Sequence, residues 1–125
     1  MKIQSFFSAY ILFLLLAIST SCGEQCTAPD LDENIIGNWR MTVTGNMIEF
    51  RADGTLIDPN AALIGGQMGG VVLDQKSFEV LGADLIKVRA ESGSEFLELE
   101  YAVPSNFCDE LRIIAFNGEI TLIRQ

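Results

Sequence analysis

The sequence predicts an all-β domain, an antiparallel meander folded as a sandwich or a barrel, behind an N-terminal export signal. Three observations support this prediction. About eight short runs of residues alternate between apolar and polar side chains with a period of two, which is the pattern of half-buried strands. Tight-turn signals such as Asp53-Gly54 and Asn117-Gly118 separate the runs. No long helical period follows the export signal.

Residues 1–21 have the composition of a cleaved signal peptide. A lysine follows the first methionine, an apolar stretch runs from Phe6 to Ile18, and small residues end the segment. The apolar stretch is shorter than the roughly 20 residues that a permanent transmembrane helix needs. We therefore expect a signal helix over 1–21 that is removed on export, a polar tether over 22–34, and a single domain over 35–125.

The segment Ile18-Ser19-Thr20-Ser21-Cys22 resembles the lipobox of bacterial lipoproteins, in which an apolar residue and small residues precede a cysteine. The resemblance implies that Cys22 is the first mature residue and carries the lipid anchor. It also implies a location in the bacterial cell envelope, lipid-anchored at the outer membrane. Ser19 stands where the lipobox has leucine. The alternative is therefore cleavage by an ordinary signal peptidase that accepts Ser19 and Ser21, which would leave Cys22 an unmodified secreted cysteine.

The chain has three cysteines, and two remain if Cys22 carries lipid. An even pair in an exported chain predicts a disulfide, here between Cys26 and Cys108. This bridge would tie the tether to a late strand. The chain-entropy model assigns a loop of this length roughly 4–5 kcal/mol of stabilisation.

Composition and charge exclude several classes of function. The net charge is −9, and residues 1–21 carry one lysine and no acid, so the mature chain has a charge near −10. A chain this acidic repels phosphate backbones, so no nucleic-acid partner is expected. The chain has no histidine, which excludes Ser-His-Asp and Cys-His nucleophiles and imidazole metal ligands. We expect no cofactor and no metal site.

The predicted strands follow one another at short intervals, and each presents alternate side chains to the core. Two short runs lie over 55–57 and 77–81. The alternating positions on one face of the other runs are, in chain order, Trp39, Met41 and Val43; Ile48, Phe50 and Ala52; Ile86, Val88 and Ala90; Leu97, Leu99, Tyr101 and Val103; Leu111, Ile113 and Ala115; and Ile120 and Leu122.

One glycine-rich stretch, Ala61 to Leu73, interrupts this rhythm with two Gly-Gly pairs and almost no charge. One interpretation is a connection, or two strands joined by a glycine turn, whose apolar side chains pack into the core. The other is a mobile apolar flap that admits a ligand or contacts a partner. The second interpretation predicts an exposed apolar patch around Leu63, Ile64, Met68 and Val71.

Two motifs resemble a known family. Ile36-Gly37-Asn38-Trp39 is similar to the Gly-x-Trp signature of lipocalins. Phe50-Arg51-Ala52-Asp53-Gly54-Thr55 is similar to a hairpin common in the small lipocalin-like domains of bacterial lipoproteins, notably those of Bacteroidota. The resemblance covers roughly Ile35 to Gln125 and implies an up-and-down β-barrel of about eight strands.

In lipocalins the tryptophan closes one end of the barrel, and a basic residue near the last strand stacks on it. Gly37 and Trp39 match this barrel-end motif, and the resemblance implies that Arg124 is the stacking residue, with Arg112 as the alternative. This role is structural, because a cation over an indole ring stabilises the fold by about 0.5–2 kcal/mol.

Two non-enzymatic functions are open at this point. In the first, an inner face that includes Met41, Phe50 and Tyr101 holds a small apolar ligand inside the barrel, with Leu63, Ile64 and Met68 as further contacts. In the second, the barrel is filled by its own side chains. The domain is then a structural module, or an interaction module that meets an envelope protein or a glycan.

An enzymatic function rests on Glu98 and Glu100, which lie two residues apart on one strand face. Such a spacing of about 7 Å suits the paired carboxylates of sugar hydrolysis. The competing interpretation is an outer polar face, on which these carboxylates pair across strands with Lys87 and Arg89. Because no other reactive groups converge on the pair, we expect that the protein is not an enzyme.

Overall fold

A computed structural model of the chain describes residues 25–116 and 118–125. The expected signal peptide over 1–21 and the expected lipid-attachment residue Cys22 lie outside the described residues. The described part consists of strands with one short helix, which confirms the all-β prediction. No helix in this part of the chain has the length and apolar character that crossing a bilayer requires.

The elements, in chain order, are α1 Leu31–Asn34, β1 Gly37–Met41, β2 Met47–Phe50, β3 Leu56–Ile57, β4 Gln67–Met68, β5 Val71–Val72, β6 Gln75–Gly82, β7 Leu85–Ser92, β8 Glu95–Asn106, β9 Glu110–Ala115 and β10 Gly118–Arg124.

Eight strands form one antiparallel sheet in the order β3-β2-β1-β10-β9-β8-β7-β6, and β4 and β5 form a separate hairpin. The sheet curls until its two outer strands approach each other. A bridge between Thr55 and Ser77 joins them, and the Phe78 N–H donates to the Gly54 carbonyl oxygen at 2.9 Å. The fold is therefore a nearly closed up-and-down barrel of eight strands, as predicted. Near-closure pairs part of the edge that an open sheet would leave unpaired.

Because consecutive strands run in opposite directions, the turns lie alternately at the two ends of the barrel. We call one end the tether end. It holds α1, the turns β2–β3, β6–β7 and β8–β9, and the C-terminus. We call the other the tip end. It holds the turns β1–β2, β7–β8 and β9–β10, and the long connection over 58–74.

The alternation in the sequence places one side of every long strand in a common core. Side chains from β1, β2, β7, β8, β9 and β10 are buried together, with Trp39, Phe50, Ile86, Val88, Leu111, Ile113 and Leu122 fully enclosed. Leu97 and Leu99 are only partly buried. They lie in the first half of β8, which pairs with β7 on one side but precedes the residues that pair with β9 on the other.

Two sequence predictions are wrong at the borders of the domain. Val43 was expected inside, but β1 ends at Met41, and a turn leaves Val43 84% exposed. The expected polar tether over 22–34 includes residues that fold: Leu31 and Asn34 belong to α1 and are buried against the barrel.

Candidate functional site

Arg124 closes the tether end of the barrel. Its guanidinium lies over the Trp39 ring, with Cζ 4.3 Å from the ring centroid. Nε donates to the Cys108 carbonyl oxygen at 3.0 Å, and Nη1 to the Ile36 carbonyl oxygen at 3.1 Å. Nη2 donates to both the backbone and the side-chain oxygens of Asn34, at 2.6 and 2.7 Å. The planar fork thus ties β10 to the α1–β1 segment and to the β8–β9 turn, which a lysine ammonium would not match.

The other parts of the barrel-end motif fit around this guanidinium. A Cβ atom at Gly37 would lie only 2.9 Å from Nη1 of Arg124, and the φ angle of +136° at this position also favours glycine. Arg112, the alternative stacking residue, lies instead on the outer face, where it pairs with Glu110 at 2.8 Å and with Glu119 at 3.9 Å. The structure therefore assigns the stacking position to Arg124.

The N-terminal arm is fastened to the same end. The structure joins Cys26 to Cys108, with their Cα atoms 6.1 Å apart, which is the pair that the cysteine count predicts. The Asn106 side-chain amide also donates to the Pro29 carbonyl oxygen at 2.9 Å. The arm thus meets the β8–β9 turn through a covalent bond and a hydrogen bond.

Asn34 organises this region, and sequence reasoning missed it. Its side chain is 4% exposed and donates to the Asn106 Oδ1 atom at 2.6 Å and to the Phe107 carbonyl oxygen at 2.7 Å. Its own oxygen accepts from Arg124. Asn34 closes a run of polar residues in the sequence, so no local signal distinguishes it from the solvated tether.

The 58–74 connection closes the tip end. Leu63 and Ile64 are each 1% exposed, and Leu73 is equally buried, so these side chains plug the barrel. The exposed patch expected around Leu63 and Ile64 is therefore absent; Met68 is partly buried, and only Val71 of that set is exposed.

Asp58 holds the plug in place. Its buried carboxylate accepts the backbone N–H groups of Ala62, Leu63 and Ile64 at 2.7, 2.9 and 3.2 Å. Lys76 donates to the Asp58 carbonyl oxygen at 2.6 Å, and its ammonium lies 3.8 Å from the carboxylate. Sequence reasoning missed this residue, although the turn-forming Asp58-Pro59-Asn60 signals a side-chain-capped turn.

Tyr101 fastens the plug from the barrel wall. Its hydroxyl donates to the Leu63 carbonyl oxygen. Burial, with a smaller contribution from the charge of Asp58, raises the pKa of Tyr101 to about 12. The phenol is therefore neutral at physiological pH and serves as a hydrogen-bond donor.

The residues expected to contact a ligand lie inside the packed core. Met41, Phe50 and Tyr101 are buried, and the Phe50 ring meets the Phe78 ring edge-on with centroids 5.0 Å apart. Among the described residues, surface pockets border the outside of the barrel, for example about 470 Å³ between α1 and β6, about 390 Å³ at the seam between β3 and β6, and about 200 Å³ on the outer face of β6–β8.

Glu98 and Glu100 lie on the outer face of β8. The Glu98 carboxylate is 3.4 Å from the Arg89 guanidinium on β7, and Glu100 stands opposite Lys87 in the strand register. This is the cross-strand charge pairing of an outer face. Within residues 25–116 and 118–125, no group of three acidic, cysteine or histidine side chains is placed to bind a metal.

Apolar side chains remain exposed at the tip end. We call them the tip patch: Val43 on the β1–β2 turn, Met47 at the start of β2, Val71 and Val72 on β5, and Phe116 on the β9–β10 turn. Val43 and Phe116 are the most exposed, at 84% and 75%. The tip patch thus draws on three separate connections at one end of the molecule.

Comparison of the chain with protein-family models, with curated proteins and with solved structures found no match.

Proposed function

We propose that this chain is an exported, lipid-anchored envelope protein whose lipocalin-like barrel is a non-catalytic interaction module. One observation carries the proposal. The inward side chains of the described strands are buried together, Arg124 covers the tether end, and the buried Leu63 and Ile64 cover the tip end, whereas other apolar side chains at the tip end stay in solvent. A domain built to present its outer surface has this distribution of apolar residues.

The burial of the inward side chains supports an interaction module over a carrier of a small apolar ligand. A ligand inside the barrel would have to displace Leu63 and Ile64, which Asp58 and Tyr101 hold with hydrogen bonds. It would also have to displace core side chains such as Phe50, which is fully buried. Protein interiors lose several kcal/mol when large buried side chains are removed.

The lipid anchor and the envelope location are supported by three observations of different kinds. The lipobox-like segment ends at Cys22. The remaining two cysteines form the pair Cys26–Cys108, and structural disulfides persist in oxidising compartments. The Gly37-x-Trp39 motif and Arg124 adopt the arrangement that a lipocalin-like domain requires. The anchor then lies at the tether end, and the tip patch points away from the membrane.

The chemistry of the tip patch indicates a protein partner. Val43 and Phe116 offer apolar surface and no fixed donors for a sugar. The net charge of the mature chain, near −10, favours a partner whose contact surface is neutral or basic around an apolar centre.

Site-specific photo-cross-linking in the native envelope tests this function. A photoreactive residue at position 116 should give a protein adduct of one defined mass, and Val43→Ser should weaken it because the patch loses apolar surface. The matched control is a photoreactive residue at Asp53, an exposed residue at the tether end. The proposal would be contradicted if position 116 gave no more adduct than position 53. It would also be contradicted if Val43→Ser left the yield of the adduct from position 116 unchanged.

A further inference from the structure

Phe107 presents an exposed aromatic ring on a backbone that is held in place. The residue lies in the β8–β9 turn at the tether end, and it is 57% exposed. Its N–H donates to the Glu110 carbonyl oxygen at 2.9 Å, and its own carbonyl oxygen accepts from the buried Asn34 amide. A single exposed apolar side chain is ordinary on a protein surface, so its significance depends on what lies opposite it.

The length of the N-terminal arm determines how far Phe107 can lie from the membrane surface. Three residues separate Cys22 from Cys26, and four residue steps span at most about 14 Å. Cys26 is bonded to Cys108, the residue that directly follows Phe107. With lipid on Cys22, the disulfide therefore holds the tether end, and the Phe107 turn with it, close to the surface of the membrane.

The disulfide shortens this connection. Without it, the arm would be held through the hydrogen bond from Asn106 to the Pro29 carbonyl oxygen. Seven residue steps then separate Cys22 from the attachment point, which is about 24 Å of extended chain. The barrel would have room to turn its tether end away from the membrane.

The surroundings of Phe107 define the kind of surface that it meets. Leu81, on β6 beside the pocket next to α1, is a second exposed apolar residue at this end. The exposed carboxylates Asp30, Asp84 and Asp109 share the same end. These charges oppose binding to an anionic surface, so the apolar contact depends on the anchor to bring it to the membrane.

We propose that the Cys26–Cys108 disulfide seats the tether end on the bilayer and that Phe107 inserts its ring among the lipid headgroups. This inference rests on the proposed lipid anchor at Cys22. Burial of apolar side chains, phenylalanine among them, at the boundary between headgroups and acyl chains is favourable. The seating fixes the orientation of the barrel, so the tip patch is presented away from the membrane.

Fluorescence quenching in vesicles tests the seating. The full lipidated protein is reconstituted in phosphatidylcholine vesicles with or without brominated phosphatidylcholine, once as Phe107→Trp and once as Phe116→Trp. The second variant is the matched control, because Phe116 is also exposed but lies at the tip end. The unsubstituted protein supplies the background of Trp39, the one tryptophan of the chain.

We expect the brominated lipid to quench Phe107→Trp severalfold more than Phe116→Trp. Adding Cys26→Ser and Cys108→Ser to Phe107→Trp should reduce this quenching toward the control while the protein still floats with the vesicles. Equal quenching of the two tryptophan variants in floating protein would overturn the seating and leave the anchor intact. Quenching that rises with protein density in the vesicles would indicate contact between copies and would also overturn it. Protein that does not float and carries no acyl mass would remove the anchor and the seating together.

Discussion

Arg124→Lys tests the closure of the tether end. Arg124 donates four hydrogen bonds to oxygens of Cys108, Ile36 and Asn34 and stacks on Trp39. A lysine ammonium keeps the charge but lacks the fork, so at least two of these oxygens lose their donor. At about 1–1.5 kcal/mol for each lost bond, with part of the stacking energy, we expect a loss of about 2–4 kcal/mol in the free energy of unfolding.

Urea unfolding followed by tryptophan fluorescence measures this loss, because Trp39 is the one tryptophan of the chain and lies directly under the substituted side chain. The matched control is Arg112→Lys, at an arginine whose partners are carboxylates on the outer face. Exposed ion pairs contribute about 0–1 kcal/mol, so the control should change little. Equal losses in the two variants would refute the account of the tether end.

Three further predictions concern the plug, the buried phenol and the disulfide. Asp58→Ala leaves three backbone N–H groups without their acceptor, so it should lower the free energy of unfolding, measured in urea, by about 3 kcal/mol. As a control, Asp53→Ala removes one exposed hydrogen bond, from the Thr55 N–H, and should lower the free energy of unfolding by less than about 1 kcal/mol. Equal losses in the two variants would contradict the role of Asp58 in holding Leu63 and Ile64. Tyr101 has a pKa raised from 10.0 to about 12 in the folded state, so its contribution to stability is complete below pH 10 and is lost as the pH rises toward 12. Because Tyr101 is the one tyrosine of residues 22–125, ultraviolet titration of that part of the chain should give a phenolate midpoint near 12 in the folded protein and near 10 in guanidinium; a folded midpoint near 10 would contradict the burial. Replacing Cys26 and Cys108 by serine opens a loop of 82 residues and should lower the free energy of unfolding by up to about 4–5 kcal/mol, and a change under about 1 kcal/mol would be contrary to this expectation.

The sequence predicts the barrel because local patterns decide its strands. The period-two alternation gives the inward faces of β1, β7 and β9, and turn signals such as Asp53-Gly54 give the reversals between strands. The cysteine count gives the Cys26–Cys108 pair. Each of these signals depends on residues that are adjacent in the sequence or on a count that leaves one pair once Cys22 is set aside for lipid.

The sequence does not predict the two closures, because each depends on partners that are remote in the chain. Leu63 and Ile64 suit an exposed flap as well as a plug; Asp58 and the distant Tyr101 hold them inside. Asn34 becomes a core residue through contacts with the β8–β9 turn and with Arg124, more than seventy residues later. The polar residues that precede Asn34 in the sequence led to the expectation that it belongs to the tether.

The Val43 prediction failed for a local reason. Alternation alone extends β1 through this residue, but the Gly45 N–H donates to the Met41 carbonyl oxygen at 2.9 Å and turns the chain at Met41. Gly45 permits that turn with a φ angle of +75°. The side chain that would have entered the core instead joins the tip patch.

Native mass spectrometry of the protein purified from its own envelope tests the central claim, a filled barrel on a lipid anchor. We expect a chain that begins at Cys22, carries acyl groups there, contains an intact Cys26–Cys108 disulfide and binds no small molecule. An apolar molecule retained at one copy per chain would contradict the filled barrel. A chain that begins elsewhere, or a Cys22 without acyl groups, would contradict the anchor.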